Sequence, residues 1–176
     1  SLEEVVEEVK RRLTKLLKEI EDVIRRAEEE SRRLLEEIER VIREAEKESR
    51  RLLEEIRTAG VREEELDKLR KHSEDVKRRL RKILEDNRKR SEEVAKELKE
   101  LLEELKERIR KVEEDARDLD EDLVRKLAKE LLDTLREVLK RIEEIAKEVL
   151  DLNDESLKEI RRIVEEDLRK LEEKMR

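Results

Sequence analysis

Histidine is the one side-chain type that ordinarily titrates near neutral pH, and this sequence holds a single example, His72. One imidazole does not make a zinc site, which needs three or four ligands. A di-metal helical bundle needs a Glu-x-x-His pairing, yet Leu69 occupies the position three residues before His72. Carboxylates are no better guide. With 55 acidic and 48 basic residues, any Glu-x-x-Glu match arises by composition alone and suits solvated Glu–Lys and Glu–Arg pairs equally well. There is no cysteine, no aromatic residue to stack a base or ligand, and no glycine-rich loop to cradle a phosphate. The residues therefore point to no catalytic, cofactor-binding or metal-binding group. The expectation is a non-enzyme with no cofactor and no small-molecule ligand, and with His72 as a member of a polar network.

That network has further candidates. Between residues 31 and 91 small polar side chains interrupt stripes that are otherwise apolar: Ser31 and Ser49, then His72, Ser73, Asn87 and Ser91. A buried polar group without a partner costs roughly 1 to 3 kcal/mol, so polar residues at seam positions are expected to find one another. Folding the chain back on itself at its only glycine, Gly60, brings Ser49 level with His72 and Ser73, and Ser31 level with Asn87 and Ser91. These two layers would lie about 27 Å apart by helical rise. Such layers fix register and choice of partner at some cost in stability.

The elements that must position these residues are long amphipathic helices. The segment 22–38 returns eighteen residues later as 40–56, down to the shared Glu-Ser-Arg-Arg-Leu-Leu-Glu-Glu-Ile. Eighteen residues are about five turns of an unstrained α-helix, whereas a seven-residue period would impose a left-handed supercoil, so a nearly straight bundle is predicted. The first helix is expected over about residues 2–57, on the stripe Val5, Val9, Leu13, Leu16, Ile20 and Ile24 followed by the repeat. Gly60 ends it. The second is expected over about 63–117, its start marked by Val61 and Leu66 at the spacing of a hydrophobic staple.

Asp118-Leu119-Asp120 offers a helix cap, and a third helix follows over about 121–151, with apolar doublets at nearly every turn. Leu152-Asn153-Asp154 reads as another break, capping a fourth helix over about 155–176. The fold class is thus all-α: a long antiparallel hairpin plus two shorter helices, four per chain, in one domain over residues 1–176.

Composition agrees with this architecture. There is no proline, one glycine and no aromatic residue, and 59% of the chain is charged. The formal net charge is only −7, and the strict periodicity of the apolar residues argues against disorder. Charges of both signs are interleaved, which leaves no stripe for nucleic acid or an anionic membrane. No apolar run approaches the roughly 18 residues of a membrane span, and the N-terminus has no signal-peptide core, so a soluble chain is expected.

Two layouts differ in consequence. If the fourth helix doubles back, as short connections favour, the half of the hairpin near Gly60 is bare. It would expose Leu34, Leu35, Ile38, Val41, Ile42, Leu52 and Leu53, with Ile56, Leu66, Leu69, Val76, Leu80, Ile83 and Leu84. A face of that size does not stay open in water. It would be closed by a second copy in a homodimer, by two more in a trimer, or by a separate helical partner. In the competing layout the last helix continues along the hairpin and covers that face, giving a monomeric three-helix bundle.

The repeated Val-Ile-Arg-x-Ala-Glu-x-Glu-Ser-Arg-Arg-Leu-Leu-Glu-Glu-Ile, the Glu/Lys/Arg surface, the Ser/Asn/His layers and the Asp-Leu-Asp and Leu-Asn-Asp segments resemble de novo designed helical bundles with buried hydrogen-bond networks. The resemblance covers the whole chain as a style and maps no active residues. It implies no natural biochemical function and no native compartment, only cytoplasmic expression in a recombinant host. The expected role is a structural scaffold or oligomerisation module, with a heterodimer half or latch-and-cage switch as the alternative.

Overall fold

The computed structural model describes residues 1–175 and contains three long helices: α1 (Leu2–Thr58), α2 (Glu63–Asp115) and α3 (Glu121–Lys174). It is an all-α helical bundle, with no strand among the described residues. The count of four helices is corrected to three, because α3 runs without interruption through Leu152-Asn153-Asp154. Asparagine in a helix interior costs about 0.7 kcal/mol or less relative to alanine, an amount that one buried hydrogen bond can offset. With neither glycine nor proline there, nothing forces the backbone to stop.

Each of the two expected turns that form has a local cause. After Thr58 the amides of Ala59 and Gly60 bond back to the carbonyls of Glu55 and Arg57 at 3.0 and 3.2 Å. Gly60 takes φ +84°, the left-handed region in which a side chain would crowd the following carbonyl. α2 stops at Asp115, two residues before its expected end, and tightens into a single 3₁₀ turn over Ala116–Asp118. Leu119 is extended, and of the two candidate caps it is Asp120 that acts: the amide of Leu123 donates to Asp120 Oδ1 at 2.9 Å. That bond satisfies one of the amides left free in the first turn of α3.

The chain divides into two compact units. The first comprises Ser1–Glu29 and Glu92–Val149. Its core joins Leu13, Ile20 and Ile24 of α1 to Leu98 and Leu105 of α2 and to Leu135 and Ile142 of α3. Of the apolar doublets on this part of α3, Leu131 and Leu132 are both buried, while Leu123 and Leu127 remain exposed. The second unit comprises Glu30–Ser91 and Leu150–Arg176. In it the 30–91 hairpin packs against the C-terminal part of α3, which runs antiparallel to α2 and towards the Gly60 turn. Ile38, Ile42, Leu80 and Leu84 meet Leu157, Ile160 and Ile163. Nearer the turn, Leu52, Ile56 and Leu66 meet Leu171.

Those contacts correct the expectation of a bare hairpin. Ile38, Ile42, Leu52, Ile56, Leu66, Leu80 and Leu84 are buried within the chain, and Leu34, Leu35, Val41, Leu53, Leu69, Val76 and Ile83 are half-buried. Fully burying a Leu or Ile side chain is worth about 1.5–3 kcal/mol. The continued helix therefore gains far more by covering this face than a break at Asn153 would recover.

Candidate functional site

The polar residues of the second unit gather at two places. At the first, Asn153 is fully buried, and its Nδ2 donates to Ser31 Oγ at 3.0 Å and to Ser91 Oγ at 3.1 Å. One residue from each helix thus meets in a single amide–hydroxyl cluster. Asn87 is also buried, one turn before Ser91 on α2. Its Nδ2 and the Oδ1 of Asn153 are buried without a hydrogen-bond partner. One is a donor and the other an acceptor.

At the second place, towards Gly60, Ser49 Oγ donates to Ser73 Oγ at 3.2 Å, joining α1 to α2. His72 is not part of that bond. Its side chain is 42% exposed and turns to α3, where Nε2 stands 3.5 Å from Asp167 Oδ1. Asp167 is the buried partner, with 7% of its side chain exposed, and its Oδ1 has no hydrogen bond. Burial pushes its carboxyl above the usual carboxylate range, while the charges of His72 and Lys170 pull the other way. A cavity of about 410 Å³ opens beside it, with Ser49, Ser73 and Asp167 among the polar side chains of its wall and Leu53, Val76, Leu80 and Val164 among the apolar ones.

Around these layers the helices are tied by surface ion pairs. Arg161 reaches from α3 to Glu37 of α1 at 2.9 Å, and Arg81 and Arg88 of α2 reach Glu46 and Glu39 of α1 at 2.9 and 2.6 Å. The hydrogen bond from Arg40 holds Glu37 below the ordinary carboxylate value, helped by the charges of Arg40 and Arg161. Burial works against ionisation of Glu39, but Arg88 and Arg43 outweigh it and its carboxyl is also held low. Exposed pairs of this kind add little to stability each, and they contribute chiefly to alignment.

Ser31, Ser49, His72, Ser73, Asn87 and Ser91 all lie in this second unit. The structure brings Ser31 and Ser91 together through Asn153, joins Ser49 to Ser73, and turns His72 away from both serines. Sequence reasoning missed Asn153 and Asp167. A signal for each was present: the stripe keeps its spacing of threes and fours through Val149, Asn153, Leu157, Ile160, Ile163, Asp167 and Leu171. A cap at a true break has no reason to stay in phase with the helices on both sides of it.

As chemistry, the arrangement ties helices together through an amide–hydroxyl cluster and a serine pair. Among the described residues no group of three His, Cys, Asp or Glu side chains is placed to hold a metal ion, and no helix is long and apolar enough to cross a membrane. No family model matches this chain, and no curated protein or solved structure matches it at a significant level.

Proposed function

We propose that this chain is a designed helical scaffold, self-contained in its fold, whose buried polar residues serve to set helix register rather than to carry out a reaction. The observation that carries the reading is the burial of Leu157, Ile160, Ile163 and Leu171 against the 30–91 hairpin. Association of whole chains through that face would require α3 to leave it. The origin by design is supported by the eighteen-residue repeat in α1, the near absence of glycine, proline and aromatic residues, and the amide–hydroxyl cluster at Asn153. The test is absolute mass in solution by light scattering on a sizing column. A mass near the 21.5 kDa of one chain is expected, and twice or three times that mass would overturn the reading.

A second reading, a cage that holds an exchangeable helix, is favoured by one feature. The segment 150–174 is docked through two buried polar side chains, and each keeps an oxygen without a hydrogen bond, Asn153 Oδ1 and Asp167 Oδ1. A helix that lacked one of those unsatisfied oxygens would compete with the chain's own segment. Adding a labelled peptide of residues 150–174 with Asp167→Leu tests this: stable capture by the intact chain supports exchange, and absence of capture rejects it.

A further inference from the structure

We propose that Asn87 and Asn153 hold one buried water molecule between them, and that this bridge makes Asn87 a member of the cluster that positions α3. The proposal rests on the register-setting reading above and deepens it.

Both side chains are enclosed in the second unit, Asn87 at 5% and Asn153 at 0% exposed. Each has one polar atom left over, and the two are complementary. Nδ2 of Asn87 has protons to give, and Oδ1 of Asn153 has lone pairs to receive them. Buried groups of this kind are costly unless bonded, and in folded proteins an ordered water is a common way to complete the bond. The two amides do not bond to each other directly.

The spacing suits a bridge. Asn87 stands four residues before Ser91, whose hydroxyl oxygen accepts from the Asn153 amide at 3.1 Å, and four residues are about 6 Å of helical rise on one face. A direct hydrogen bond reaches about 3 Å, whereas two in series through a water reach nearly twice that. Ser91 also keeps its own hydroxyl hydrogen to donate. A water here accepts from Asn87 Nδ2 and from Ser91 and donates to Asn153 Oδ1, which gives it about three bonds, the usual number for an internal water.

The surroundings select water over other small ligands. Ser31, Asn87, Ser91 and Asn153 are all uncharged, so the cluster has nothing to balance an ion and no carboxylate to replace the oxygen shell of a divalent metal. One turn nearer Gly60 the same three helices present Leu34, Leu35, Leu84 and Leu157 of a single apolar cluster, which offer no side-chain donor or acceptor. A slide of α3 by one turn would carry Asn153 away from both serines and from the bridge, and would leave both amides buried without bonds. Asn87 thus adds to the preference for the observed position of the third helix.

The test joins a high-resolution crystal structure of the full chain to a double-mutant cycle in urea unfolding. An ordered water is expected within about 3 Å of both Asn87 Nδ2 and Asn153 Oδ1. In crystals of Asn87→Leu that water should be gone while Asn153 keeps its bonds to Ser31 and Ser91. In the cycle of Asn87→Leu and Asn153→Leu, the double variant should be about tenfold more stable in its unfolding constant than the product of the single effects, because each single change strands the other amide. Leucine is a strong helix former and suits a buried seam position, so all three variants should fold. The proposal is overturned if the two amides bond directly, if no ordered water lies between them, if the water persists in Asn87→Leu, or if the single effects simply multiply. None of these outcomes changes the mass of the chain, on which the scaffold reading is tested, so the two readings fail separately.

Discussion

Asn153 Nδ2 lies 3.0 Å from Ser31 Oγ, a bond between residues 122 positions apart in sequence. The same nitrogen donates to Ser91, so a single amide ties the third helix to the other two. Asn153→Ala removes both bonds and leaves a small cavity among groups that had been paired. A loss of about 2 kcal/mol is expected in guanidinium unfolding, of which the unpaired hydroxyls are one part and the missing volume another. The combined change Ser31→Ala, Ser91→Ala and Asn153→Leu should cost less than Asn153→Ala alone, because neither serine hydroxyl is then left without its partner.

The cover over the hairpin can be removed by one charge. Ile160 is fully buried between Ile38, Ile42, Leu80 and Leu84 of the hairpin and its own neighbours on α3. Ile160→Asp places an unpaired carboxylate there and should cost about 4 kcal/mol or more. Hydrogen exchange should then show protection lost first over residues 150–174. With the apolar face of the hairpin uncovered, the mass by light scattering should rise above that of one chain as concentration increases. A variant that stays monomeric with the segment still protected would contradict the account.

At the turn, Gly60→Ala separates backbone strain from packing. A Cβ at residue 60 would meet nothing within 4 Å, so the space is free, but φ is +84°. The expected cost is about 1 kcal/mol, arising from the left-handed backbone alone. Gly60→Asn should cost less, since asparagine tolerates that region better than alanine. Equal losses for the two variants in thermal unfolding would point to something other than the backbone angle.

The pH response of Asp167 has a definite sign. Burial raises its carboxyl above the ordinary value, so the folded chain keeps a proton there over a range in which the unfolded chain has released it. Its contribution to stability is therefore full below the ordinary aspartate value and is lost as pH rises through the raised one. Glu37, Glu54 and Glu107, each held low first by a hydrogen bond from arginine, act in the opposite sense: their contribution is present above the ordinary glutamate value and lost as pH falls. Urea unfolding of the parent and of Asp167→Asn isolates the first effect. The stability of Asp167→Asn relative to the parent should rise with pH, and a difference that stays flat would show that burial does not perturb this carboxyl.

Much of this fold is readable from residue spacing. The apolar stripes place α1 and α2, Gly60 places the turn between them, and Asp120 marks the start of α3. The levels of Ser31 with Ser91 and of Ser49 with Ser73 follow from folding the chain at Gly60. The third helix was not readable in the same way, because asparagine has two opposite uses. At a helix start its oxygen caps a free amide; inside a bundle its amide can bridge helices. Local preference favours the first at Asn153, and two hydrogen bonds donated to serines on the other helices favour the second. The inversion is visible in adjacent residues: Leu152 is 39% exposed and Asn153 is 0% exposed. Asp167 escaped notice for a related reason, since one carboxylate among 55 acidic residues is conspicuous only once the phase of its helix is known.

The repeat in α1 has a consequence for how the second unit tells one end from the other. Ser31 and Ser49 stand at equivalent places in two copies of one sequence, and Ser91 and Ser73 answer them from α2 at the same spacing. Taken alone, these four serines give a docking helix two like addresses, which only Asn87 near Ser91 and His72 beside Ser73 set apart. α3 answers with two different letters, an amide at Asn153 and a carboxylate at Asp167. The direction and position of the third helix are thus stored in side chains that do not repeat, an amide and a carboxylate on α3 set against a hairpin whose serines do.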